Sequence, residues 1–269
     1  MKLISVQDIS CYGQCSLTVA LPILSYYGIE TIILPSAILS THTGGFKNFT
    51  VHDLTDEMPK ITAHWINEKI MVDAIYTGYI GSSKQFDIIL EMKNKMLKDN
   101  GLFIVDPAMA DHGNMYYGLG EDIILGMKKM CSVADYILPN ITEACFLTNT
   151  KYQSNLTEEF IDSLLIKLHN LGAKNIILTG VIKDNNIGAT YYNGLDKTTI
   201  LYPMEEKNYH GTGDIFSSVI IGNLLNGKEV TESIKNACLF VIDSIKKTKN
   251  DLNHNYGVKF EEVLKEKIY

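Results

Sequence analysis

The sequence predicts an α/β domain with a central, mostly parallel sheet flanked by helices, and three observations lead there. Short apolar runs rich in β-branched residues alternate with longer amphipathic stretches, which is the pattern of strands joined by helical crossovers. With 269 residues, 46% of them hydrophobic, the chain can bury a large core, and no Pro-, Gly- or Ser-rich linker, long-period repeat or low-complexity segment divides it. Residues 1–269 therefore read as one domain. Finally, polar residues and glycines gather just after the apolar runs, where ligands bind in open parallel sheets.

The strand candidates, in order, are Leu3 to Val6, Thr31 to Leu34, Ala74 to Thr77, Leu102 to Val105, Tyr136 to Leu138, Asn175 to Leu178 and Gly188 to Tyr192. A helix is expected over roughly Ser16 to Tyr27. Another is expected over Ser82 to Lys98, where Phe86, Ile89, Leu90, Met96 and Leu97 recur near helical spacing and Asn100-Gly101 supplies a stop. A helix opening at Thr142 carries Ala144, Phe146 and Leu147, and one following Asp214 places Ile215, Val219, Gly222 and Leu225 on one face.

Acidic residues outnumber basic ones, 31 to 24, for a formal charge of −7, and no Lys/Arg block resembles a nucleic-acid or membrane arm. A small molecule is the expected partner. The five cysteines include no Cys-x-x-Cys pair, so reduced thiols are expected rather than a disulfide framework or zinc ribbon. With neither a signal-like N-terminus nor a membrane-length apolar run, the chain is expected to be cytoplasmic.

Candidate chemistry follows the strands. Asp8 and Ser10 lie after the first, as loop or capping groups or as ligands; only Gly13 follows, so the dinucleotide fingerprint is missing. Ser40-Thr41-His42-Thr43-Gly44-Gly45-Phe46 suits either a surface turn or a polar aromatic ligand, and Tyr79 either packs in the core or edges a ring. Asp106 and Asp111 bracket a rigid Pro107, an arrangement suited to hydrated Mg²⁺ as well as to capping. Asn140 and Glu143 stand at a helix start, where Asn140 or Thr142 is a natural cap. The strongest signal is His210-Gly211-Thr212-Gly213-Asp214, a glycine turn running into an apolar helix. Unpaired amides and the helix dipole there attract negative charge, and an adjacent aspartate could take a proton from an attacking hydroxyl. No His-Glu-x-x-His, Gly-x-Ser-x-Gly or P-loop signature occurs.

Taken in order, Thr41-His42-Thr43, Thr77-Gly78-Tyr79, Asp106-Pro107 with Asp111, Pro139-Asn140 with Glu143, and Gly211-Thr212-Gly213-Asp214 resemble the pyridoxal kinase branch of the ribokinase-like superfamily, over almost the whole chain. The resemblance implies a three-layer ribokinase-like fold, a homodimer, and ATP- and Mg²⁺-dependent phosphorylation of the 5′-hydroxymethyl group of a B6 vitamer. It implies that Asp214 is the base, ionised at neutral pH, and that the amides of Gly211, Thr212 and Gly213 form the anion hole. It places Asp111 and Glu143 around Mg²⁺ and its waters, and Asp106 where a monovalent cation or a phosphate water is held. Asn140, Glu143, Thr179 and Gly180 fall along the nucleotide, and His42, Thr43 and Tyr79 around the vitamer ring, with Asp8 and Ser10 at its polar edge. Asp8 replaces a common serine, which suits an aminated vitamer such as pyridoxamine or else the related hydroxymethylpyrimidine kinases. Leu138 replaces a threonine that often contacts the monovalent cation, and Ala110 replaces a usual glycine. A silent B6-binding protein has no need of the aspartate, and a sugar kinase would need a β-lid that Thr31 to Thr55 is too short to build.

Overall fold

The computed structural model describes residues 1–205, 207 and 209–268. Among them a nine-stranded sheet runs through the molecule in the order β11-β10-β9-β8-β5-β4-β1-β2-β3. β1 (Lys2–Ser10), β2 (Glu30–Leu39), β4 (Val72–Thr77), β5 (Leu97–Val105), β8 (Tyr136–Ile137) and β9 (Asn175–Lys183) are mutually parallel. Antiparallel strands finish both edges: β3 (Val51–Asp53) on one, β10 (Asn186–Tyr192) and β11 (Lys197–Pro203) on the other. A small hairpin, β6 (Ala110–Asp111) and β7 (Asn114–Met115), stands apart.

Helices cover both faces, so the three-layer expectation holds. On one face α2 (Met58–Asn67), α3 (Gln85–Met96), α4 (Glu121–Cys131), α5 (Ile141–Leu147) and α6 (Glu158–Asn170) bury Met58, Phe86, Met127, Ala144 and Leu164 against Ile4, Val6 and Ile75. On the other, α1 (Leu17–Tyr26), α7 (Thr212–Leu225), α8 (Val230–Thr248) and α9 (Phe260–Ile268) bury Val19, Ile220, Ala237 and Val263 against Leu3, Ala74 and Tyr76. The division follows the two-residue alternation of a strand: Ile75 points to one core and Ala74 and Tyr76 to the other. Because both faces are covered, the parallel strands read as continuous apolar runs.

Each strand expected from the sequence is present, with shifted boundaries. β1 continues through Asp8 to Ser10, so these residues lie on the strand rather than in a loop after it. The helix expected to reach Lys98 ends at Met96, and Asn100-Gly101 lies inside β5 instead of forming a stop. Short β3 and β11 were not anticipated. β11 lacks strict alternation, and its place follows from the β10–β11 turn, where Asn193 Oδ1 accepts from the Leu195 and Asp196 amides at 3.0 and 2.7 Å. α5 starts at a capping box: Asn140 Oδ1 accepts from the Glu143 amide at 2.9 Å and Glu143 Oε2 from the Asn140 amide at 2.8 Å, so Asn140 rather than Thr142 is the cap. Among the described residues no helix is long and apolar enough to cross a membrane, and all five cysteines are unpaired.

β1 is flanked by β2 and β4, so the crossovers leave it in opposite directions and open a crevice at the carboxyl ends of β1 and β4. Tight helix packing also shapes this frame. A β-carbon added at Gly126 of α4 would lie 2.0 Å from the Phe86 ring of α3. Gly126→Ala is expected to lower stability by about 1 kcal/mol or more, because overpacking outweighs the gain in helix propensity. Urea denaturation would show this as a lower midpoint, and an unchanged midpoint would contradict the packing.

Candidate active site

The glycine turn sits where the sequence places it. Gly211 caps α7 with φ of 78°, and a side chain there would meet the Gln14 carbonyl at 1.8 Å, so only glycine lets the turn rest on the loop after β1. Gly213 differs: its φ is not positive, and a β-carbon would meet nothing within 4 Å. The space in front of Gly213 at the amino end of a 14-residue helix is where an anion would sit. Thr212 steadies the turn by donating its hydroxyl to the Tyr209 carbonyl, 3.1 Å.

Asp214, in the first turn, has its carboxyl pushed up to about 6, by burial first and then by Asp8, against the Ser16 amide. The expectation of an ionised aspartate at neutral pH stands, with less margin than a helix start alone would give. Asp106, at the end of β5, is 9% exposed and is pushed up to about 7 by burial and by the charge of Asp214. Ser217 Oγ, one turn into α7 from Asp214, donates to Asp106 Oδ2 at 2.7 Å and opposes that shift. Glu143 is also buried and held well above the carboxylate range, by burial and then Asp106. Its Oε1 accepts from the Met109 amide, 3.2 Å, while Oε2 takes the Asn140 amide. Asp111 stands apart, half-exposed on the β6–β7 hairpin and accepting from the His112 amide.

Asp106, Asp111 and Glu143 do not form a ready-made ligand cluster, and no group of three such side chains occurs among the described residues. The donors nevertheless suit a hydrated hard cation. They are oxygens, the charge of Asp106 raises the proton affinity of Glu143, and the backbone amides already occupying both oxygens of Glu143 leave it better placed to hold a metal-bound water than the metal. Leu138, 2% exposed, brings no side-chain oxygen to this place.

Asn140 and Thr179 are brought together by a backbone bridge, and Asn140 Nδ2 also donates to the Ala110 carbonyl at 2.8 Å. Thr179 and Gly180 lie within β9 rather than after it. Gly180, φ 70°, is the extra residue of a bulge opposite Gly188 and Ala189, a kink that redirects the strand at this point.

At the crevice, Asp8 is 4% exposed on β1 opposite a bulge in β2 and accepts from Ser10 Oγ at 2.9 Å. Burial raises its proton affinity, partly offset by Ser16 and Ser10. His42, 5% exposed, has its ring over Gly13, where a β-carbon would lie 2.0 Å from Cδ2. Its Nδ1 accepts from the Gly44 amide at 3.2 Å, which leaves the proton on Nε2, and that nitrogen has no partner. Burial and His210 hold the ring neutral. Tyr79 is half-buried, with a phenol kept protonated by burial, Asp8 and Asp53; Thr43 is exposed.

Three contributors carry no role in the sequence reading. Ser217 lies three residues past Asp214, a spacing that does face one side of a helix. Tyr116, just past the β6–β7 hairpin, has its phenol raised by burial and then by the charges of Glu143, Asp111, Asp214 and Asp106. Gln7, fully buried on β1, has neither side-chain polar atom paired. Two cavities, about 540 and 460 Å³, lie elsewhere, beside Cys145 and Phe146 and beside Ile161 and Leu201.

This arrangement, a glycine turn at the start of α7 with Asp214 beside it at the strand switch of a three-layer, mostly parallel sheet, fits a small-molecule kinase of ribokinase-like fold. The phosphomethylpyrimidine kinase family matches residues 23–259, and the chain belongs to it. It is similar to a Bacteroides thetaiotaomicron protein assigned to the phosphomethylpyrimidine kinases and crystallised with pyridoxal: 33% identity, TM-score 0.93, 100% of this chain and 96% of the other covered. The crystal structure of a Lactobacillus plantarum pyridoxal kinase gives 29% identity and a TM-score of 0.91 over 98% of this chain and 95% of that one. A Dictyostelium discoideum pyridoxal kinase is 27% identical, covering 82% of this chain and 77% of its own length.

Two predictions test the site. Gly213→Ala is expected to leave the melting temperature within about a degree, since surface changes of this kind stay within roughly 0.5 kcal/mol, while abolishing detectable ADP binding in a calorimeter. Gly211→Ala should lower the melting temperature as well, and equal behaviour of the two variants would contradict the geometry. The raised carboxyls also cost stability when ionised: their folded proton affinity exceeds the unfolded one, so the cost is absent below the unfolded value near 4 and complete above about 7. Asp106→Asn should therefore raise the melting temperature of the ligand-free protein by a few degrees at pH 8, with the gain vanishing near pH 4. A gain independent of pH would contradict the assignment.

Proposed function

We propose that this enzyme transfers the γ-phosphoryl group of ATP to the 5′-hydroxymethyl group of pyridoxal and its B6 relatives. The observation that carries the reading is Asp214 at the amino end of α7, beside the open space at Gly213 and within reach of Asp8 and the Ser16 amide at the end of β1. The vitamer ring lies in the crevice at the carboxyl ends of β1 and β4, beside the buried His42 ring and with Asp8 and Ser10 at its polar edge. Thr43 and Tyr79 border the ring, while Asn140, Thr179 and Gly180 line the nucleotide. The similar protein crystallised with pyridoxal supports the ring assignment.

In the step itself, the hydroxymethyl oxygen attacks the γ-phosphorus as its proton passes to an Asp214 oxygen. The bond from that phosphorus to the β,γ-bridging oxygen breaks, and its electron pair leaves with ADP. The amides of Gly211, Thr212 and Gly213 hold the equatorial phosphoryl oxygens throughout, in the manner positioning catalysis requires. Asp106, Asp111 and Glu143 would hold Mg²⁺, the last two through water, and the ion would neutralise charge on the nucleotide phosphates. A monovalent cation at Asp106 would lack an oxygen from Leu138, so weak dependence on K⁺ is the expectation.

A second reading, phosphorylation of a hydroxymethylpyrimidine, shares every one of these phosphate contacts and is favoured by the family's own description and by Asp8 at the ring's polar edge. ADP release measured with pyridoxal, pyridoxamine, pyridoxine and 4-amino-5-hydroxymethyl-2-methylpyrimidine separates the two. Turnover of the B6 compounds is expected, and turnover of the pyrimidine alone would overturn the first reading. Asp214→Asn should lower kcat by roughly 10²- to 10⁴-fold. In the wild type kcat/KM should fall as pH drops through about 6, where Asp214 gains its proton.

A further inference from the structure

We propose that His210 is a positioning residue that clamps the vitamer-side loop onto the phosphate turn, so that filling either half of the site orders the other. The proposal rests on the kinase reading above and adds to it a residue to which that reading gives no role. His210 immediately precedes the helix cap Gly211, yet its ring does not lie along its own turn. It lies across Gly44, where a β-carbon would meet the ring Cε1 at 2.4 Å and both ring nitrogens within 3 Å. The same ring lies 5.1 Å from His42, tilted by 46°.

His42 is in turn seated on Gly13, in the loop after β1, and bonded through Nδ1 to the Gly44 amide. Two glycines thus accept two imidazoles, and the interlock joins three separate loops: the one after β1, the one after β2, and the turn into α7. Neither ring could take its place if Gly13 or Gly44 carried a side chain. An exposed histidine with no role would not need a glycine beneath it.

The interlock continues as a run of rings around the mouth of the groove. His42 meets Phe46 edge-on at 5.0 Å, Phe46 meets Tyr12 at 5.8 Å, Tyr12 meets Tyr256 at 4.8 Å, and Tyr256 meets His254 at 4.2 Å. His254 Nε2 lies 3.1 Å from Gln14 Oε1, and the Gln14 carbonyl is the surface on which Gly211 rests. The loops therefore close a circuit, and His210 is the link between its vitamer side and its phosphate side. A ligand that immobilises His42 restricts His210 and the adjacent hole amides, and a phosphate that fixes the amides restricts His42. The second ligand then loses less conformational freedom on binding.

Calorimetry of Mg·ADP binding with and without saturating pyridoxal tests this. In the wild type each ligand should tighten the other roughly tenfold, within the usual range of site coupling. In His210→Ala each ligand should still bind alone within about threefold of wild type, while the mutual enhancement falls to near one. His210→Phe, which keeps a ring over Gly44, should restore most of it. Gly44→Ala should also abolish the enhancement, and the Gly44→Ala/His210→Ala pair should be no worse than His210→Ala alone, since the added methyl then has room. Undiminished enhancement in His210→Ala, or none in the wild type, overturns the clamp. If His210→Ala fails to fold by circular dichroism, Gly44→Ala against His210→Phe gives the same comparison. Wild-type protein that turns over no B6 vitamer and binds no pyridoxal sinks the kinase reading and the clamp together, whereas turnover with unaltered coupling in the variants sinks the clamp alone.

Discussion

The organising constraint of this molecule is electrostatic: several carboxylates, Asp106 and Glu143 buried and Asp214 partly so, gather at one edge of the sheet, close to the positive end of α7. Asp214, Asp106 and Glu143 each carry a raised proton affinity whose first cause is burial, and Asp214 raises Asp106 as Asp106 raises Glu143. Burying like charges at close quarters is costly in the empty protein. The fold meets part of that cost locally, with Ser217 on Asp106 and two backbone amides on Glu143. Under the proposed kinase reading, the cation of a bound nucleotide would supply the counter-charge that these carboxylates lack. A binding site tuned in this way trades stability for readiness toward a charged ligand.

The topology delivers these groups without long loops. β1, β4, β5 and β8 each end at the same edge, so Asp8, Tyr79, Asp106 and Asn140 arrive there from consecutive strands, while α7 enters from the opposite face with its amino end at the same point. Glycines then permit the close approaches. Gly211 lets the turn into α7 rest on the Gln14 carbonyl, and Gly13 and Gly44 let the His42 and His210 imidazoles lie across the backbone.

Much of this was legible in the sequence, for physical reasons. Parallel strands buried on both faces must be apolar throughout, so the runs at Leu3, Ala74, Leu102 and Asn175 stood out. The Gly211 to Asp214 turn was equally plain, because close backbone approach restricts residue choice. Short β3 and β11 were not visible, since their place depends on pairing partners rather than on their own pattern. The stop expected at Asn100-Gly101 is displaced: the helix ends at Met96, and Asn100-Gly101 falls in the stretch of β5 between Leu97 and Leu102 that pairs with no β4 residue, so its turn preference bends the strand instead. Ser217 and Tyr116 were passed over for a related reason: a hydroxyl on a helix or after a hairpin acquires meaning only when the fold brings a carboxylate to it. The burial that lifts Asp214 toward neutrality is likewise a property of packing, and a helix-start argument alone underestimates it.

The most direct measurement is the proton count on ligand binding, obtained by titrating Mg·ADP into the protein at pH 6.5 in two buffers of different ionisation enthalpy. If buried carboxylates share protons in the empty site and give them up when the counter-charge arrives, binding releases protons, and Asp106→Asn reduces the number released. Binding with no proton release in either protein would mean that the carboxylates are already ionised and that the electrostatic constraint described here is wrong.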